Sequence, residues 1–555
     1  MRNFYVLKLD SGYLKQHKNK VTTNFSKLKK NSNVIGLGDS QMLRLIRTLT
    51  DHKVDMNHIE RLYYEMKLLK RQKSSKENSN RIFEIQKEID DVLFIPEYVT
   101  VEMRSEKQYR KLFEDGFVLT IGGKTRKYKR LACSASQARC SIVTFCSDDI
   151  LDELKLICNN DRNLNKELSP AKYNAYFGLY LSQSQIVRKP RFCVVRDYEN
   201  KKKVTVNYVT ETPQGQDDDV EVREIDMAFN RTDGMGLITP RFAKLWAEDL
   251  GIDYTPAQFC IRQSWIKGML CVFDIQDFCE KKNGSKYIIT DIYGDEVDLR
   301  DIDIILSESQ FKLWDSYPNQ KYYEECCEKN GLTWGVSIYT PRQDKDVLNL
   351  NYQFLQTLDL DDDDIEYICR PFVDWISSVS GDDINSVLLF LLGSKHTEKT
   401  IQNYMRSSDN HWVKCLVANP NLINDKYIKQ KIYNLIKTKI DGGCLGRLIT
   451  DGNFQVIISD PYGMMEHVCG LEVKGILKDG EFYSNYWNNK GVKVVDGMRS
   501  PLTFINEHVT MPLVKNEDTE YWYKYMYTGV VLNYYGGEVL NFGGSDFDII
   551  CPLMQ

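Results

Sequence analysis

A chain of 555 residues, 42% hydrophobic and 27% charged, has room for roughly three or four domains around large buried cores. A formal net charge of −5 excludes a uniformly basic coat, so any surface for nucleic acid has to be local. No apolar run reaches the ~18–20 residues a membrane helix needs, the first twenty residues hold no signal-peptide core, and 15 cysteines without a C-x-x-C pair read as reduced thiols, so a cytoplasmic protein is expected.

In chain order, "SQMLRLIRTL" follows Ser40 as a helix N-cap, and "VDMNHIERLYYEMKLLKRQ" spaces its apolar residues by three and four. "KSSKENSN" separates two helices. "IGLGDS" carries Gly36 and Gly38 but no third glycine, so it reads as a loop before a helix and not as a dinucleotide fingerprint. Residues 1–115 are expected to form a helical N-terminal accessory region. From 116 to 220 short strands follow: "GFVLTIGG", "SIVTFCS", "RFCVVRDY" and "KVTVNYV". The basic runs "GGKTRKYKRL" and "ENKKKVTV" beside them read as solvated hairpin ends, with phosphate contact as the alternative. Cys133, Cys140 and Cys146 cluster loosely here, but no fourth ligand is near and structural zinc is disfavoured. "TPQGQDDDVE" is a polar hinge. A mixed block spans 221–315 and a helical connector spans 316–444, with "DDINSVLLFLLG" and "DKYIKQKIYNLIKTKI" as its clearest helices. Residues 445–555 return to strands and glycine turns. No repeat of 20–50 residues is visible.

Three stretches hold residues suited to chemistry. In "GGSDFDIICPLMQ", Asp546 and Asp548 are one residue apart, which in a strand or tight loop lets two carboxylates share a hard cation such as Mg²⁺. On local sequence alone, a surface turn is the simpler reading. In "FCIRQSWIKGMLCVFDI", Arg262 and Lys267 lie among strand formers, where a cation is costly unless paired. A structural ion pair and a phosphate site both satisfy that demand, and Gly268 would let the backbone approach a ligand. "IDIILSESQFKLW" repeats the arrangement with Lys312 after a polar turn. The acidic run Asp361–Asp364 competes as a metal site, but it precedes a helical pattern and suits a helix N-terminus.

The segments "YKRLACSASQARCSIVTF", "KYNAYFGLYLSQS", "DGMGLITP", "FCIRQSWIKGML", "ILSESQFKLW" and "SDFD" occur in the order seen in one family. From about 125 to 550 the chain resembles the single-chain RNA polymerases with two double-psi β-barrels, which include the eukaryotic RNA-silencing polymerases and the YonO-type enzymes of phages and prophages; the phage branch is the nearer. The resemblance implies an α+β fold, with a lysine-bearing first barrel at 221–315 and an aspartate-bearing second barrel at 445–555. It implies that Lys267 and Lys312 contact substrate phosphates or the transcript end, with Arg262 beside them. Arg499, in "VVDGMRSPL", would lie near the ribose of the incoming nucleotide. Asp546 and Asp548 match the first two acids of an Asp-x-Asp-Gly-Asp loop that binds Mg²⁺. The implied partners are NTPs, an RNA product and a nucleic acid template, DNA before RNA, with no membrane. In such a site two metal ions and opposed lysines stabilise the charge of nucleotidyl transfer.

This sequence departs from the family pattern at the loop, which reads Asp546-Phe547-Asp548-Ile549-Ile550 and lacks the third acid. The expectation is an N-terminal portion of an interrupted polymerase, inactive or nearly so alone, completed by a restored message or a second chain, with "IICPLMQ" as a short unrelated tail that has no turn chemistry to finish a barrel. An RNA-templated polymerase, a non-catalytic nucleic-acid-binding remnant and a structural protein are the alternatives.

Overall fold

Alternation of apolar and polar residues starts at Phe4, and it builds strands where helices were expected. In the computed structural model, which describes residues 3–72, 75–210, 212, 219–380, 383–392, 411–500, 502–547 and 550–554, the first sheet contains β1 (Phe4–Asp10), β2 (Lys20–Thr23), β3 (Val34–Leu37), β4 (Phe94–Glu102), β5 (Phe117–Ile121), β6 (Lys124–Ala132) and β7 (Ile142–Ser147). Their order is β2-β5-β6-β7-β4-β1-β3, with β1 and β4 parallel and β3, β6 and β7 in antiparallel pairs. The helical reading of residues 1–115 is therefore corrected. Helices Gln41–Leu49, Met56–Arg71 and Lys76–Leu93 are present, the last starting inside the "KSSKENSN" stretch expected to be a linker, and Ser40 Oγ caps the first by accepting from Leu43 N at 3.3 Å. They lie within a long crossover between β3 and β4, as a parallel partner for β1 requires.

The second sheet draws on a wider stretch than 221–315. In chain order come β8 (Gln185–Ile186), β9 (Phe192–Val195), β10 (Glu199–Thr210), β11 (Asp219–Asn230), β12 (Met235–Ile238), β13 (Gln258–Gln263), β14 (Ile266–Val272), β15 (Ile288–Thr290), β16 (Glu296–Asp298), β17 (Ile304–Ser307) and β18 (Gly335–Tyr339). The sheet runs β8-β18-β13-β14-β12-β17-β9. Strands β10 and β11 form a separate ribbon of twelve facing pairs, and β15 and β16 a small hairpin. Most of the polar hinge lies outside the described residues; its last residues, Asp219 to Glu221, begin β11. The core beneath this sheet includes Trp246, fully buried, with its ring 5.6 Å from both Phe242 and Phe259 and its indole N–H donating to Arg188 O at 3.0 Å.

The third sheet contains β19 (Val347–Asn349), β20 (Ile449–Ser459), β21 (Phe482–Tyr483), β22 (Val494–Met498), β23 (His508–Pro512), β24 (Val530–Leu532) and β25 (Ile550–Met554), in the order β21-β24-β20-β25-β22-β23, with β19 beside β20. The segment "IICPLMQ", read as a short tail, contributes a strand to this sheet. Residues 550–554 pair antiparallel with Gly452 to Val456 of β20, and residues 553–554 with β22. The run lies between two strands, and its ladder with β22 is confined to the residues after Pro552, whose ring nitrogen cannot donate.

The chain packs as two units: 1–342 with 458–476 and 520–526, and 343–457 with 477–519 and 527–555. The second holds the expected helices Ile384–Leu392 and Lys426–Gly443. Asp361 caps the helix Asp362–Val379: its carboxylate accepts from Asp364 N at 2.9 Å, and Asp364 returns the bond to Asp361 N at 3.3 Å. That is the helix-terminus role the acidic run suggested. No helix among the described residues is long and apolar enough to cross a membrane.

Trp246→Ala should cost about 3–5 kcal/mol in a urea titration, because it removes both a large buried ring and a satisfied N–H. A second prediction comes from Asp344, which is buried with no partner for Oδ2 among the described residues, so that burial pushes its carboxyl up to about 7. A carboxyl raised in the folded chain favours folding while protonated; that contribution is present at low pH and lost as pH climbs to about 7 and above. Asp344→Asn should therefore raise Tm at pH 8 and change it little near pH 4; an equal shift at both would contradict this account.

Candidate active site

The hairpin β13–β14 turns through two residues, Ser264 and Trp265, and both are buried. Trp265 has φ +60°, a conformation bulky residues rarely adopt. Packing holds it there. Ser264 O accepts from Tyr323 Oη at 2.6 Å, Ser264 Oγ hydrogen-bonds Tyr180 Oη at 2.7 Å, and the Trp265 ring meets Tyr180 edge-on at 5.9 Å. One register step inside the turn, Arg262 faces Lys267. Directly opposed residues share a face, so the two cationic side chains start from neighbouring points on one surface. The Arg262 Nη1 donates to its neighbour Ile261 O at 2.7 Å, while its Nε has no partner among the described residues.

Lys312 is brought to the same hairpin end by backbone pairing. Phe311 forms a β-bridge with Ile266, and Lys312 N donates to Trp265 O at 2.9 Å. The sequence-selected cations Arg262, Lys267 and Lys312 thus lie around one turn of the first unit. All three side chains are half-buried.

Gly268 has a different role from the one expected of it. A Cβ there would lie 2.2 Å from Gln310 Nε2 and 2.5 Å from Gly234 O, and a Cβ on Gly236 would lie 2.4 Å from Gln310 Oε1. The space a ligand was expected to use is filled by the Gln310 side chain, which is fully buried. Its Nε2 donates to Gly234 O at 3.2 Å and to Met269 O at 3.1 Å, and its Oε1 accepts from Ser307 N at 3.2 Å. Beside it, Ser309 Oγ accepts from Gly234 N at 2.9 Å, and Asp197 Oδ1 accepts from Ser309 Oγ at 3.1 Å. Sequence reasoning missed Gln310. The available signal was Ser307-x-x-Gln310 at the end of an apolar strand, the spacing of a capping box.

In the second unit, the short helix Glu538–Asn541 leads into Gly543 and Gly544, at φ +66° and +62°. Two successive left-handed residues are what glycine permits and other residues resist. Their amides donate back to Leu540 O and Val539 O at 2.8 and 2.9 Å. Arg499 Nη1 donates to Phe542 O at 2.7 Å and to Gly543 O at 3.4 Å, so the side chain selected for a nucleotide holds the turn just before the aspartates. Phe547 is buried and Asp546 half-buried, so the apolar residue of the pair anchors the loop. Asp548 lies outside the described residues. Among the described residues no group of three or more His, Cys, Asp or Glu is arranged to hold a metal ion. Carboxylates such as those of Asp546 and Asp548 suit a hard cation, and Asp546 is the one of the two that is described.

A family profile described as RNA dependent RNA polymerase matches residues 47–498. The chain is similar to the DNA-directed RNA polymerase YonO of Bacillus phage SPbeta, at 27% identity over 428 residues, 75% of this chain and 46% of that protein. Among solved structures it is similar to the RNA dependent RNA polymerase QDE-1 from Thielavia terrestris, with TM-score 0.51 and 14% identity over 82% of this chain and 48% of that one. The second likeness is one of fold, a mixed α+β architecture. The chain spans about half the length of both proteins.

Arg499→Met should loosen the Gly543–Gly544 turn, costing about 1–3 kcal/mol locally, read as faster hydrogen exchange at those two amides. Unchanged exchange would show that the guanidinium does not hold the turn.

Proposed function

The chain belongs to the RNA dependent RNA polymerase family, and from that premise we propose that it serves template-directed RNA synthesis by nucleotidyl transfer from NTPs to an RNA 3′ end. The observation that carries the reading is the cationic turn: Lys312 set by backbone pairing against the hairpin of Arg262 and Lys267, inside the span the family profile matches. Three cations around one turn suit the triphosphate of an incoming nucleotide and the charge that develops on its leaving group. Lys267 and Lys312 are assigned to the phosphates, Arg262 supports them, and Arg499 is assigned to the ribose side. Asp546 and Asp548 would hold Mg²⁺, which supplies charge neutralisation at the reacting phosphate. In this reading the second and third sheets are the two double-psi barrels.

DNA is the favoured template, because the relative at 27% identity is a DNA-directed enzyme. The RNA-directed alternative rests on the family's description. Ile550 stands where the family loop has its third acid, so turnover by this chain alone is expected to be weak, and the test starts from binding. Pyridoxal 5′-phosphate, an aldehyde carried by a phosphate, should label Lys267 and Lys312 when reduced onto the protein, with ATP protecting both, and Lys312→Ala should weaken ATP binding by roughly tenfold. Labelling confined to other lysines would overturn the assignment. RNA product on single-stranded DNA, and its loss in Asp546→Ala, would establish DNA-directed synthesis; product only on RNA would favour the RNA-directed alternative. Nucleic acid binding with a steep salt dependence and no incorporation would leave a non-catalytic binding protein.

A further inference from the structure

The polar turn Ser307 to Gln310 is built around a buried side-chain amide that the proposed chemistry does not use. We propose that Gln310 is a positioning residue that fixes Lys312 against Lys267, so that the two ammonium groups act as one site for a triphosphate; this rests on the reading of the two lysines given above. Gln310 is 0% exposed, and a buried amide is costly unless it is bonded. Here both ends are bonded, and every partner is backbone: Gly234 O, Met269 O and Ser307 N.

Those partners lie on the elements that carry the lysines. Met269 is two residues beyond Lys267 on β14, and Gln310 is two residues before Lys312. The same amide therefore touches the lysine-bearing strand and belongs to the lysine-bearing turn. Gly234 O, its third partner, accepts from Met269 N as well, at 2.9 Å, and Gly234 lies in the turn just before β12. An apolar side chain of similar length would fill the space, but it would leave the turn free to slide along the strands. Hydrogen bonds to one carbonyl on β14 and one just before β12 fix where the turn stops. The adjoining sequence accommodates this: Gly236 and Gly268 lack the Cβ atoms that would collide with the Gln310 side chain. Directly after Gln310 come the Phe311–Ile266 bridge and the Lys312 N–Trp265 O bond, which place Lys312 at the hairpin end.

The experiment is a double-mutant cycle on the full chain, titrated with inorganic tripolyphosphate and followed by calorimetry. Gln310→Met keeps length and volume and removes the hydrogen bonds. It should weaken tripolyphosphate binding by roughly tenfold, and by much less in a Lys312→Ala background, because its effect passes through that lysine. Gln310→Glu, which keeps the acceptor for Ser307 N but turns an oxygen toward the Gly234 and Met269 carbonyls, should weaken binding at least as much as Gln310→Met. Circular dichroism and a urea titration at the assay temperature establish that each variant is folded. Unchanged affinity in a folded Gln310→Met, or an equal loss with and without Lys312, overturns the proposal. So does unfolding of both variants, which would make Gln310 a core residue only. If Lys312→Ala and Lys267→Ala leave tripolyphosphate binding untouched, it is the phosphate role of the lysines that fails, and the two failures are told apart.

Discussion

Buried polar groups that must be satisfied govern the centre of the first unit. A strand end, a turn and a hairpin meet there with their backbone groups shielded from water, and Gln310 and Ser309 supply partners across the gap. Without Gln310, Met269 O would lose its side-chain donor, at about 1–3 kcal/mol if left unsatisfied, and Gly234 O would keep only its bond from Met269 N. The requirement runs outward. It explains glycine at 236 and 268, and it anchors the turn that ends in Lys312. On the far side of the hairpin, Tyr180 and Tyr323 meet the same demand at Ser264, and burial pushes both phenols far above their usual range, so they act as neutral donors. The cations at the hairpin end rest on a frame whose polar interior is bonded rather than flexible.

The second unit uses one cation differently. Arg499 spends its Nη1 on the carbonyls that close the Glu538–Asn541 helix, and the glycine pair beyond it turns the chain toward Asp546. A guanidinium at a helix C-terminus interacts favourably with the carbonyl ends of the helix dipole. Its position is therefore explained by the fold before any nucleotide is invoked.

Much of this was legible in the sequence where the signal is local. Ser40 and Asp361 mark helix starts, and each side chain caps as its type predicts. The clustering of Arg262 and Lys267 follows from strand spacing around a two-residue turn. What depends on distant partners was not legible. The N-terminal residues hold strong helices, and these hid four strands whose sheet partners include residues from 117 to 147. Gly268 invited a ligand reading because a glycine records a close approach without naming the atom that approaches. The segment after Asp548 resembled no part of the expected loop, yet its backbone pairs with strands that begin at 449 and 494.

The division into units has a consequence for synthesis on the ribosome. The first unit is not contiguous: it takes in 458–476 and 520–526 as well as 1–342. Asp460, from the first of these late pieces, is completely buried there as the cap of the helix Pro461–Val468, and Trp522, from the second, stacks 6.0 Å from Phe273. At about 5–20 residues per second, roughly ten to forty seconds separate the emergence of residue 342 from that of residue 526. During that interval the apolar face around Phe273 and Phe278 waits for the chain that will cover it. A nascent polypeptide of this design exposes the flank of its own first unit for most of the time its second unit is being made, and chaperones that recognise apolar surface have their longest opportunity there.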